Sequence, residues 1–209
     1  MNKGIIFDLD GTLWDCEQAT LDTFNEICEK HGLPAITRET VKASMGITRE
    51  ESIELFFPGI EDGEKYLDEA ESLLAIRLHE GSATIYPGLK ETIEELVKEY
   101  GLYIVSNSDD FNYIGAFVDC YGFKDHIIDY FPASAMGISK SDAIRKMVDK
   151  YELDKAIYVG DTIRDYQAAS KAGVRFIFAG YGFGSFDYPY RADTCLELLA
   201  LIDKIMKEE

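Results

Sequence analysis

Paired cysteines, a surplus of positive charge and long apolar runs are all missing from this 209-residue sequence, and each absence removes a class of protein. The four cysteines, Cys16, Cys28, Cys120 and Cys195, show no spacing such as C-x-x-C. A disulfide framework and a zinc site are therefore not expected, and a reducing cytoplasm is. Lysine and arginine number 21 against 39 acidic residues, a formal net charge of −18. A field of that sign repels nucleic-acid phosphates and anionic lipid, so neither is an expected partner. No apolar run is long enough to cross a bilayer, and Asp8 and Asp10 interrupt the first one too early for a signal sequence. Internal repeats, low-complexity segments, a P-loop and a G-x-S-x-G elbow are absent as well. Apolar residues still make up 46% of the chain, enough for a packed core in one domain or in a domain with a large insertion.

Four short apolar runs, residues 4–7, 102–105, 156–159 and 175–179, read as strands buried on both faces. Helical patterns at 89–100, 111–121, 141–151 and 164–172 alternate with them. That alternation predicts an α/β fold, a doubly wound parallel sheet. Gly101 and Gly173 follow two of the helices where a left-handed cap is wanted. The stretch from residue 15 to 85 breaks the rhythm with helical patterns at 18–30, 38–44, 50–56 and 65–78 and no convincing strand. It reads as an inserted all-helical subdomain, with the core made of residues 1–14 and 86–209 and hinges near 14–16 and 81–86.

Asp8 and Asp10 follow the first strand directly, in Ile6-Phe7-Asp8-Leu9-Asp10-Gly11-Thr12. Residues two apart on an extended chain point to the same side, so the two carboxylates can converge. In open α/β sheets the crevice beyond the carboxyl ends of the strands is where ligands bind. Gly11 allows a sharp turn there, and the Thr12 hydroxyl can orient a neighbouring carboxylate. Carboxylates this close repel unless a cation or a proton joins them. One can then act as nucleophile and metal ligand while the other exchanges a proton with a leaving group. Taken alone, a solvated acidic turn explains the pair better. An EF-hand loop does not, because Ala19 holds the twelfth position counted from Asp8 and a strand precedes the loop.

Three further polar groups recur in order. The second strand ends in Ser106-Asn107-Ser108, whose hydroxyl and amide can donate to phosphate oxygens; taken alone, an ordinary cap, with Ser108 opening a helix at Asp109, explains it better. Ser139 reads as an N-cap that puts Lys140 in a first helical turn, where a cation is unfavourable unless an anion sits nearby; on local grounds an ordinary surface lysine explains it equally. The third strand ends in Gly160-Asp161-Thr162-Ile163-Arg164-Asp165, two acids that can complement a helix dipole or complete and support a Mg²⁺ site.

Each of these signals is weak singly, but all lie at strand ends and in one order. With D-x-D-G-T at positions 8–12, Ser106, Lys140 and G-D-x-x-x-D at positions 160–165, the sequence resembles the haloacid dehalogenase superfamily of phosphohydrolases. The resemblance covers essentially the whole chain. The helical insert, Ala172-Gly173-Val174 and the closing segment 191–205 are similar to the branch of phosphoglycolate phosphatase and β-phosphoglucomutase. It implies a phosphatase acting on a small phosphate monoester through an aspartyl phosphate on Asp8, with Asp10 as acid and base. It also implies Mg²⁺ held by Asp8, Asp10 through its backbone carbonyl, and Asp161. Ser106, Asn107 and Lys140 would hold the phosphate, with Gly11, Thr12 and Asp165 supporting. A phosphomutase and a non-catalytic phosphate-binding module are the alternative functions, and the oligomeric state stays open.

Within the insert, Arg49 follows Thr48 in a loop that resembles the one facing the active site in capped relatives. It can grip a second anionic group of the substrate. It can equally be a surface residue at the start of a helix whose capping box is Thr48 and Glu51. His31, His79 and His126 share no spacing, and the aromatic series Phe111, Tyr113, Phe117, Tyr121 and Phe123 reads as core or interface. Gly180-Tyr181-Gly182-Phe183-Gly184 does not fit G-x-G-x-x-G and reads as a flexible loop at the rim of the site.

Overall fold

A computed structural model of the chain describes residues 2–108 and 110–208. In chain order its elements are β1 (Lys3–Phe7), β2 (Trp14–Asp15), α1 (Glu17–His31), α2 (Arg38–Ala43), α3 (Arg49–Phe56), α4 (Gly63–His79), β3 (Thr84–Ile85), α5 (Leu89–Leu96), β4 (Gly101–Ser106), α6 (Phe111–Cys120), β5 (Ile127–Pro132), α7 (Lys140–Lys150), β6 (Lys155–Gly160), α8 (Ile163–Ala172), β7 (Arg175–Ala179), β8 (Arg191–Ala192) and α9 (Glu197–Lys207). The main sheet has the order β5-β4-β1-β6-β7-β8, and every pairing in it is parallel. β1 lies between β4 and β6, with Phe7 in register with Ile104 on one side and Val159 on the other. The chain positions that leave these three strands, Asp8, Ser106 and Asp161, therefore sit side by side at one edge.

Period-two alternation divides the central strands between two cores. Ile5, Phe7, Ile104, Val159 and Ile177 pack with Ile93 of α5, Phe117 of α6 and Ile202 of α9. Ile6, Val105, Tyr158 and Phe178 pack on the other face with Met147 of α7 and Ala169 of α8. Each fully buried side chain of this size contributes about 1.5–3 kcal/mol, and the two faces together make the predicted doubly wound α/β sheet.

Several local expectations change. β5 and β8 extend the sheet at its edges. Asp129 and Pro132 hid β5 by breaking its apolar run, and a strand that ends in proline belongs at an edge. The predicted helix over 89–100 stops at Leu96, because the chain must turn before β4 begins. Gly101 opens that strand and makes no left-handed cap, whereas Gly173 does, at φ 77°. Helix α6 starts at Phe111 with Asp110 as its cap, accepting from the Asn112 N–H, so Ser108 does not open it; Asp109 lies outside the described residues.

Helices α1 to α4 lie between β2 and β3. These two-residue strands pair antiparallel, Trp14 with Ile85 and Asp15 with Thr84, at the two positions expected to be hinges. They are too short to leave a periodic signal, which is why no strand was expected in the insert. Inside it, Arg77 of α4 donates to the Thr23 hydroxyl of α1 at 3.0 Å and pairs with Glu26. Arg164 of α8 meets Glu51 of α3 through two hydrogen bonds of 2.9 and 3.1 Å and so joins the sheet's helices to the insert.

Candidate active site

The sheet ladder runs right up to Asp8, whose backbone N–H donates to the Val159 carbonyl at 2.8 Å. Ser139 caps α7 as expected, accepting from the Asp142 N–H, and this puts Lys140 at the first helical position. Its ammonium donates to Asp8 Oδ1 at 2.9 Å and to Asp165 Oδ1 at 2.7 Å. The other oxygen of Asp165 accepts from the Thr162 N–H in the capping box of α8. All three charged side chains are at most 7% exposed. The cation that looked misplaced at a helix N-terminus thus has two anions against it. Burial alone would lower the Lys140 pKa, but Asp165 and Asp8 outweigh it and raise it, keeping the ammonium charged. Asp8 is pushed up to about 7, first by burial and then by repulsion from Asp165, and Lys140 offsets only part of this.

Asp161 completes a group of three buried carboxylates, with one oxygen each of Asp8, Asp161 and Asp165 within 4.8 Å of one another. Burial and its two acidic neighbours raise the Asp161 pKa. Its Oδ2 accepts from the Phe183 N–H at 2.8 Å, whereas its Oδ1 is buried with no hydrogen-bond partner among the described residues. An orphaned buried carboxylate oxygen beside a second acid is what a hard divalent cation with oxygen ligands would satisfy. The residues present therefore fit a metal. Asp8 and Asp161 have the capacity to hold it, since Asp165 is already engaged by Lys140 and Thr162.

The glycine-rich run 180–184 is no loose rim. A Cβ on Gly182 would lie 2.2 Å from the Gly11 carbonyl, and one on Gly184 would lie 2.0 Å from the Asp161 carbonyl. Gly11 itself has φ 76°, and a Cβ there would lie 2.2 Å from Asp161 Oδ2. Three glycines thus let two loops close on one carboxylate, and the Phe183 N–H at the centre orients it.

Asp10 is not one of the three-acid group. Its Oδ1 accepts from Trp14 Nε1 at 2.7 Å, from the Tyr113 hydroxyl at 2.9 Å and from Cys16 Sγ at 3.2 Å. Burial and the Asp10 charge push the Cys16 thiol and the Tyr113 phenol well up, so both keep the protons they donate. These three partners gave no signal in the sequence. Tyr113 sat in an apolar helical series, and its partner lies 103 residues earlier in the chain.

Ser106 is buried and, with Asn107, Lys140, Asp8 and Asp10, lines one cavity. Asn107 Nδ2 donates at 3.2 Å to the Gly46 carbonyl of the insert. The Thr12 hydroxyl is buried without a partner among the described residues and so orients no carboxylate, contrary to expectation. Arg49 also lines the cavity but is neither a bare surface residue nor turned to the floor: Asp68 and Glu71 of α4 hold its guanidinium. The Thr48–Glu51 capping box beside it is present.

A lysine thus bridges the strand-end Asp8 and the helix-borne Asp165, beside Asp161 with an open oxygen, at one edge of a doubly wound sheet. Residues 5–179 match the family described as haloacid dehalogenase-like hydrolase, and the chain belongs to it. Phosphoglycolate phosphatase of Vibrio parahaemolyticus is 25% identical, with 96% of each chain covered. That of Chromobacterium violaceum is 26% identical over 98% of this chain and 96% of its own. A haloacid dehalogenase-like hydrolase of Streptococcus pneumoniae superimposes with a TM-score of 0.85 at 24% identity, covering 97% of this chain and 98% of that one. CbbY of Rhodobacter sphaeroides gives 0.79 at 20% identity, over 97% and 100%. The chain is accordingly an enzyme, a hydrolase of the phosphatase kind. No helix among the described residues is long and apolar enough to cross a membrane.

Proposed function

We propose that the chain is a Mg²⁺-dependent phosphatase that hydrolyses a small phosphate monoester through an aspartyl phosphate on Asp8. The observation that carries this reading is the buried ammonium of Lys140 fixed between Asp8 and Asp165, beside the orphaned Oδ1 of Asp161. Asp8 would attack phosphorus in line, while Asp10 gives its proton to the leaving oxygen. Asp10 would then take a proton from the water that cleaves the aspartyl phosphate. Trp14, Tyr113 and Cys16 hold one Asp10 oxygen, leaving the other for that exchange. Lys140, Ser106 and the Asn107 amide would hold phosphate oxygens; Asn107 Nδ2 has a second N–H besides the one it gives to the Gly46 carbonyl. Mg²⁺, held by Asp8, Asp161 and the Asp10 carbonyl, would neutralise charge on the phosphate and the acids when bound.

Residues 1–14 and 86–209 form the core in this reading and 15–85 the cap. The relatives named phosphoglycolate phosphatase make phosphoglycolate one candidate substrate, and sugar phosphates are the other. Four free cysteines favour the cytoplasm. Phosphate release from a panel of small monoesters is expected with Mg²⁺ and not with EDTA; release unaffected by EDTA would refute the metal. Gly182→Ala is expected to raise the Mg²⁺ concentration needed for half-maximal turnover by about 10–100-fold, because the new methyl displaces Asp161 or Gly11. An unchanged Mg²⁺ titration would show that the glycine loop does not set Asp161.

A further inference from the structure

The cavity above Asp8 and Asp10 has a volume of about 420 Å³ and is roofed by the helical insert. Resting on the phosphatase reading, we infer that this roof selects phosphate esters whose leaving group is a neutral polyol or sugar and turns away those carrying a second anion.

Among the described lining residues the cations are Lys140 and Arg49, and Lys140 belongs to the floor with Asp8. Arg49 is thus the roof's source of positive charge, and it is spoken for. Its Nη1 donates to Glu71 at 2.9 Å, its Nη2 pairs with Asp68, and Glu64 lies 3.9 Å away. Asp68 and Glu71 line the cavity themselves, and Asp110 adds a further carboxylate. A leaving group bearing a carboxylate would have to displace those acids from Arg49 and then sit beside them, a like-charge placement that interfaces use to reject partners. A hydroxyl meets the opposite situation. Carboxylate oxygens accept hydroxyl protons, and Thr20, Ser52 and Ser72 set further hydroxyls in the same wall. Phe24 and Phe56 offer an apolar face to the carbon skeleton. A two-carbon leaving group would leave most of the cavity to water, whereas a three- to six-carbon polyol can reach both the floor and the roof.

The test compares kcat/KM for glycerol 1-phosphate and glucose 6-phosphate with that for phosphoglycolate, in the wild type and in the Asp68→Asn/Glu71→Gln double variant. At least one neutral ester is expected to exceed phosphoglycolate by roughly tenfold or more in the wild type. The double variant, which releases Arg49 to meet a carboxylate, should shrink that ratio by about tenfold. Phosphoglycolate preferred by the wild type, or a ratio the double variant leaves alone, overturns the inference. Calorimetric binding of the same esters to the Asp8→Asn protein separates the two levels. Neutral esters bound more tightly while the wild type turns over none would reject the phosphatase reading and keep the selective roof. Tighter binding of phosphoglycolate, or binding of no ester, overturns the roof as well.

Discussion

Asp8→Asn is expected to abolish phosphate release, a loss on the order of 10⁴-fold or more, while the protein in EDTA melts no lower than the wild type. The first half follows from the chemistry, since an amide oxygen cannot take the place of a carboxylate nucleophile and no neighbour can substitute. Asp165 is engaged by Lys140 and Thr162, and Asp10 is held toward Trp14 and Tyr113. The second half follows from the local charge. Of the three buried carboxylates, two pair with one ammonium and the third pairs with none among the described residues. At Asp8 the effects of burial and of Asp165 outrank the attraction of Lys140. An amide of the same shape removes the repulsion and can still accept from the Lys140 ammonium. Mg²⁺, by contrast, should raise the melting temperature of the wild type more than that of the variant, because it binds the folded state through the lost charge. Phosphate release within tenfold of wild type would remove Asp8 from its role. A clearly lower melting point in EDTA would mean that the Lys140–Asp8 pair outweighs the repulsion.

That pattern also marks what could be read without coordinates. The core strands were legible because burial on both faces leaves continuous apolar runs, and because three of the four runs are followed within two residues by a polar group that a core strand does not tolerate. Asp8, Ser106 and Asp161 were found by that interruption, and Lys140 by being a cation at the wrong end of a helix. The edge strand β5 was lost for the converse reason, since one side of an edge meets water and admits Asp129 and Pro132. The supports of the site were illegible because their meaning is a distance in space. Tyr113 means nothing until α6 brings its hydroxyl to Asp10. Gly182 and Gly184 looked like slack until the Asp161 backbone and side chain filled the room their missing Cβ atoms leave. Arg49 shows a third case. Its position facing the cavity was legible from the loop, but the acids that engage it come from α4, and no spacing along the chain announces them.

Removing the cation tests the same cluster from the other side, and the expected signs reverse. Lys140→Met should cost both activity and stability. It leaves Asp8 and Asp165 buried with no compensating charge, and breaking a buried pair by deleting one partner costs about 3–5 kcal/mol. At about 2–4 °C per kcal/mol for a chain of this size, the melting temperature in EDTA should fall by roughly 6–20 °C. Phosphate release should drop on the order of 10²–10³-fold, the usual effect of deleting one preorganised charge at a reacting group. Mg²⁺ should restore part of the stability, since a cation between Asp8 and Asp161 relieves the same repulsion, but not the lost contact to phosphate. The decisive measurement is the double variant Lys140→Met/Asp8→Asn. If the cost arises from uncompensated carboxylates, removing one of them must return part of what the lysine's loss took away, and the double variant should melt above Lys140→Met alone. Additive losses would show that Lys140 supports the fold through its packing, with its charge incidental to stability.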